Sequence, residues 1–152
     1  MKGLSEQEQL ALGITLAAMG HKYQFDKGGK PYILHPLHLM NQLLFDTQLA
    51  TIAVMHDLIE DTDLTLSILV LAGFSDRVIT ALDLLTHSKG VSYEDYILMI
   101  SSNYDAIRVK RKDLQHNSCA TRLKGVTEKD FLRMQKYQKA YTFLGEARSK
   151  FK

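Results

Sequence analysis

The stretch Ala53–Thr62, AVMHDLIEDT, changes character halfway along. It begins as an apolar run and ends with an imidazole, His56, among three carboxylates, Asp57, Glu60 and Asp61. Residues four apart share a helix face. His56 therefore lies over Glu60, and Asp57 over Asp61, if the segment is helical. Carboxylates crowded this way raise each other's pKa unless a cation is close. A divalent metal resolves that repulsion; a solvated helix end with scattered acids is the plain alternative. Upstream the same periodicity predicts one helix over about Gln48–Asp61, with Ile52, Val54 and Met55 facing the core.

Outward from this helix, cap signals mark the others. Ser5 with Glu8 reads as a capping box ahead of Leu10, Ile14, Ala17 and Ala18, an apolar series at spacings of four and three. The segment from Phe25 to Pro36 holds Gly28, Gly29, Pro31 and Pro36 and reads as a loop. A second helix should open at Pro36, where a missing N–H costs little. Leu37, Met40, Leu43 and Leu44 would form its apolar face. Thr65 caps a short helix to about Ala72, and Gly73 ends it as a residue free to take positive φ. Ser75 caps a helix with Val78, Ile79, Leu82 and Leu85 inward. Ser92 with Asp95, and Thr127 with Asp130, begin two more. The last carries Phe131, Met134, Tyr137, Tyr141 and Leu144 along one stripe. No strand alternation, internal repeat or low-complexity tract is evident. The expected architecture is all-α, a single compact bundle of about seven or eight helices, one domain over residues 1–152.

Composition narrows the function classes. The chain has 152 residues, 45% of them hydrophobic and 24% charged, which is ordinary for a folded soluble domain. A net charge of +2 is too mild to suggest nucleic acid. No apolar run is long enough to span a membrane, and the first residues lack an apolar signal core, so a cytoplasmic location is expected. The single cysteine, Cys119, fits a reducing compartment and is expected to be a small buried residue.

Two further segments carry chemistry. His35 precedes Pro36 in KPYILHP, and the proline should hold His35 extended, as a rigid ligand. Asp113 lies in RVKRKDLQHN, where Val109 and Leu114 suggest a buried helix face. Together with HDLIEDT, these blocks resemble the HD superfamily of metal-dependent phosphohydrolases. They are most similar to the hydrolase domain of RelA/SpoT-type alarmone enzymes and the stand-alone small alarmone hydrolases. AAMGHKYQFDKGGKPYILHP (17–36) looks like that family's first block, HDLIEDT (56–62) like its His-Asp block, and VKRKDLQHN (109–117) like its third. LLTHS (84–88) matches the stretch before the family's variable insertion. The resemblance runs from about Leu12 to Leu144.

The resemblance implies a role for each matching residue. His35, His56, Asp57 and Asp113 would ligate one divalent ion, usually manganese in this family. Glu60 and Asp61 would be the catalytic carboxylates beside the attacking water. Lys27 would meet substrate phosphates, Asn117 would sit in the substrate pocket, and Tyr137 would lie against the nucleoside. Arg133, one turn before Tyr137, would reach a phosphate. His21 would support the pocket wall, and His38 would be a surface residue; His87 and His116 receive no role. The implied partner is a small-molecule nucleotide, not nucleic acid or membrane. The implied activity is 3′-pyrophosphohydrolysis of ppGpp or pppGpp, the guanosine alarmones of the stringent response. Three positions depart from the family's usual pattern: Asp26, where a basic residue is common, and Arg111 and Lys112, where Leu-Ala is common. An adenine alarmone or NADPH as substrate, and a nucleotide-binding module without turnover, remain alternatives.

Overall fold

The computed structural model describes residues 3–151. Among them are nine α-helices and one 3-10 turn: α1 Glu6–Gly20, α2 Leu34–Gln42, α3 Thr47–Met55, α4 Leu58–Asp61, α5 Leu66–Ala72, α6 Asp76–Leu85, α7 Tyr93–Ile100, α8 Tyr104–Asn117 and α9 Glu128–Arg148, with the 3-10 turn at Ala120–Arg122 before α9. The all-helical bundle is the architecture expected from the sequence. The only extended pairing among the described residues is an isolated bridge between Phe25 and Pro31. No helix there is long and apolar enough to cross a membrane.

α3 is the axis of the bundle. Every residue from Leu49 to Met55 is buried, as required of a helix apolar on all sides. α1, α2, α6 and α8 pack around it, and α9 lies along α8. The α1–α3 approach is close because Gly13 carries no side chain: a Cβ there would meet Met55 Sδ at 3.0 Å. The buried face of α1 is Gln9, Gly13 and Ala17. Ala18, expected inward, is exposed, because the contact with α3 selects the small-residue face.

The expected caps form. Ser5 and Glu8 make a full capping box, as do Thr127 and Asp130. The side chains of Thr65, Ser75 and Ser92 each accept the backbone N–H three residues on. Gly73 ends α5 at φ 93°, a conformation glycine adopts without strain.

Four further expectations are corrected. The helix read as Gln48–Asp61 is two: regular helical bonding lapses at His56 and Asp57, and α4 is a single short turn beyond them. α2 begins at Leu34, so Pro36 is its third residue and His35 is helical rather than extended. A proline within the first turn forfeits an N–H that has no intrahelical partner anyway. On α9, Phe131 is exposed, because the covered stripe starts nearly two turns later, at Tyr137, Ala140 and Leu144, where α8 lies alongside. Cys119 is exposed, since it sits in the link between α8 and the 3-10 turn rather than on a packed face.

Candidate metal centre

Three helix segments meet at one buried point. His35 comes from the first turn of α2, His56 from the end of α3 and Asp113 from the middle of α8. A ligand atom from each lies within 4.8 Å of those of the other two, and all three residues are buried. The break between α3 and α4 turns Asp57 toward the same point: its Oδ2 stands 2.9 Å from His56 Nε2. The phenol of Tyr32 donates to that same Oδ2 and holds Asp57 at the edge of the trio.

The imidazoles are set by what lies behind them. His56 Nδ1 donates to the Ala53 carbonyl at 2.8 Å, so in the neutral ring Nε2 presents its lone pair. That Nε2 is buried and makes no hydrogen bond, despite the nearby Asp57 oxygen. His35 Nε2 lies 3.0 Å from Asp113 Oδ1, and its Nδ1 lies 2.6 Å from His116 Nδ1. When His35 Nδ1 donates to His116, Nε2 is free to ligate. His116 suits the accepting role, since burial, Arg122 and the neighbouring histidines push it down to about 4 and keep it neutral. Two imidazoles, two carboxylates and an unpartnered buried nitrogen fit a borderline divalent cation.

The charges nearly cancel within the cluster. Burial would raise the Asp113 carboxyl, but Lys110 and the two histidines hold it well below the ordinary aspartate value. Lys110 is the closest of these partners, with Nζ 2.8 Å from Asp113 Oδ2. Burial would likewise lower His56, yet Asp57 and Asp113 raise it well above its usual value. Glu60 stands at the rim, where lost hydration raises its carboxyl and a hydrogen bond from the His87 backbone N–H partly offsets that. Asp61 accepts from Gln24 Nε2 at 3.2 Å, and Gln24 in turn accepts from His21 Nδ1 at 2.7 Å.

A cleft of about 260 Å³ adjoins the cluster. Lys27, Asn117, Arg133 and Tyr137 all line it, together with Tyr32 and Arg122. These residues come from the 21–33 turn, the end of α8, the 3-10 turn and the start of α9. Gly28 lets the first of these pass the Arg122 carbonyl, into which a Cβ would run. Asn117 links cleft to cluster: its Nδ2 donates to Asp113 Oδ1 at 2.6 Å, and its Oδ1 accepts from Arg122 Nη1 at 3.3 Å. Arg122 also pairs with Asp26 at 3.5 Å. Arg133 is held by Asp130 at 2.6 Å, and Lys27, with its side chain 61% exposed, lies 4.0 Å from the same carboxylate.

The sequence reading passed over Lys110, Tyr32 and His116. Lys110 and Asp113 are three apart on one helix, and so are Tyr32 and His35 in sequence, a spacing that could have paired them. His116 carried no such signal, because its partner is supplied by another helix. His21 is buried against Tyr32, with ring centroids 5.0 Å apart, and His38 is exposed and stacked on His116 at 4.1 Å.

The fold and this cluster define a class: an all-helical bundle with a buried His/Asp site fit for a divalent metal. No family model matches the sequence. Among solved structures, the chain is similar to a metazoan ortholog of SpoT that hydrolyzes ppGpp and plays a role in starvation responses. The TM-score is 0.73 at 19% identity, over 90% of this chain and 84% of that one. At that identity the likeness establishes the fold.

Proposed function

We propose that the protein is a divalent-metal-dependent phosphohydrolase that removes the 3′-diphosphate of ppGpp or pppGpp as pyrophosphate, leaving GDP or GTP. The observation that carries this reading is the meeting of His35, His56 and Asp113 within 4.8 Å, next to a cleft with cations on its wall.

His35, His56, Asp57 and Asp113 would hold the ion, with manganese as the expected metal. The ion supplies positive charge that binds phosphate oxygens and acidifies water. Glu60, its carboxyl raised by partial desolvation, orients the attacking water and takes its proton; Asp61, tethered by Gln24, assists. The water oxygen bonds to the ribose-linked phosphorus, the bond from that phosphorus to O3′ breaks, and O3′ leaves with the proton that Glu60 took from the water. Lys27 and Arg133 exchange Asp130 for the substrate's phosphates. Tyr137 and Asn117 flank the nucleoside.

The test is turnover by purified protein with manganese, offered ppGpp, ppApp and NADPH side by side. Pyrophosphate release from ppGpp ahead of the others is the expected result. Asp57→Ala should remove metal and activity together, whereas Glu60→Ala should keep the metal and abolish turnover. Full activity in the Glu60 variant rejects the role given to it.

A further inference from the structure

α8 has a second polar face. Lys110, Asp113 and Asn117 point to the cluster and cleft; Arg108, Arg111 and Lys112 point away. Those three, with Arg148 of α9, line a separate hollow of about 300 Å³ that also includes Gln42, Phe45 and Tyr141. It shares no residue with the cleft and contains no aspartate or glutamate.

Two of its cations are held in place, and among the described residues none of the four is ion-paired with a carboxylate. The Arg111 guanidinium carbon lies over the Tyr141 ring, 4.1 Å from its centre, and its buried Nε has no hydrogen-bond partner among the described residues. Gly145 makes the room: a Cβ there would come within 3.2 Å of Arg111 Nη2. Arg108 lies over Phe45 at 5.0 Å and Tyr104 at 5.1 Å. Stacking by the face leaves the N–H edge of a guanidinium available. The nearby carboxylate that Arg108 senses, Asp46, is taken by Arg77 at 2.6 Å. Arg77 is itself spent on Asp46 and Asp105. The fold thus pairs an arginine where carboxylates stand within reach, and leaves four cations together in this hollow.

We propose that this hollow is a second anion site, which takes a diphosphate or a similarly compact oligophosphate group. Planar guanidinium forks match phosphate oxygens in pairs, and a multiply charged anion answers four cations better than a single carboxylate does. Aromatic walls behind two of the arginines keep the forks in position before the anion arrives, which lowers the ordering cost of binding. The site does not depend on the metal or on the activity proposed above.

The probe is inorganic pyrophosphate, titrated by calorimetry into the metal-free full chain at low ionic strength. Citrate serves as a carboxylate control. Two paired variants separate the hollow from the cleft: Arg108→Gln with Arg148→Gln, and Lys27→Gln with Arg133→Gln. The cleft variant should retain a saturable pyrophosphate site, and the hollow variant should lose at least about tenfold in affinity for it. Amide resonances of Tyr141 and Gly145 should shift on titration. Arg148 is exposed, so Arg148→Gln alone keeps the fold and should still weaken binding if the paired variant misfolds. The proposal is overturned if pyrophosphate binding vanishes with the cleft variant and survives in the hollow variant, if no saturable binding is found, or if citrate binds equally well.

Discussion

The buried cluster and the cleft beside it are built on opposite principles. In the cluster each side chain comes from a helix packed against or beside α3, and each charge has a partner a few ångströms away. In the cleft the cations stand on turns and on the first turns of α9, and carboxylates of the chain itself already engage them: Asp130 holds Arg133 and Asp26 holds Arg122. One region is organised before any ligand arrives; the other must exchange internal pairs for ligand contacts. Preorganisation favours tight binding of a small ion, while exchangeable pairs favour a substrate that must also leave.

Breaking the cluster should have the largest effect. Asp113→Ala strands Lys110 as a buried cation, leaves His56 with Asp57 alone, and should cost about 3–5 kcal/mol of stability. Chemical denaturation measures that cost, and loss of metal in the same variant should be seen by elemental analysis. A cost below about 1 kcal/mol would show that the cluster is wetter and looser than its burial indicates.

Glu60→Gln separates chemistry from binding. It should lower turnover by about 10²–10⁴ with metal content and substrate affinity kept. A rise in KM with unchanged kcat would move Glu60 from the chemistry to the cleft.

The cluster's electrostatics fix the sign of a pH effect. His56 titrates well above its usual 6.5 because Asp57 and Asp113 outweigh burial. That shift favours the protonated ring in the metal-free protein, and a metal must displace any proton that Nε2 holds. Metal affinity should fall by about tenfold per unit as pH drops below that raised pKa. Calorimetry in buffers of different ionisation enthalpy reads the released proton directly. In the metal-free protein the same shift stabilises the fold fully below pH 6.5, and that contribution fades as pH rises through the folded-state pKa.

The smallest effect belongs to the rim. Lys27 is mostly exposed, so Lys27→Gln should raise KM by about threefold to tenfold and leave melting temperature unchanged. The salt dependence of KM should weaken with it. A loss confined to kcat would place Lys27 at the reacting phosphorus rather than at the edge.

How much of this was legible in the sequence follows from the range of each signal. Caps are local: Ser5–Glu8, Ser75, Ser92 and Thr127–Asp130 each act within one turn, and each marks a helix start that forms. The gathering of His35, His56 and Asp113 was foreseen from blocks of sequence that resemble a known pattern, not from spacing, since helix packing alone brings them together. The lapse of helix at His56 and Asp57 was missed because periodicity counts apolar positions, and these continue across it through Met55 and Leu58. The inward face of α1 was misjudged by one residue because steric access, set by Gly13 against Met55, outranked hydrophobicity. Cys119 was misplaced by a general preference that says nothing of which segment carries it.

Asn117 has a consequence beyond its place in the cleft. Through it, Asp113, Arg122 and Asp26 form an unbroken chain of contacts from the buried cluster to the outer lip. A phosphate that draws Arg122 away from Asp26 would tug on the same amide that steadies Asp113, a proposed ligand of the metal. Thermodynamic reciprocity then demands that nucleotide and cation alter each other's dissociation constants by one common factor. Holding the ion firmly and recognising its cargo would be a single property of the molecule, measurable from either end.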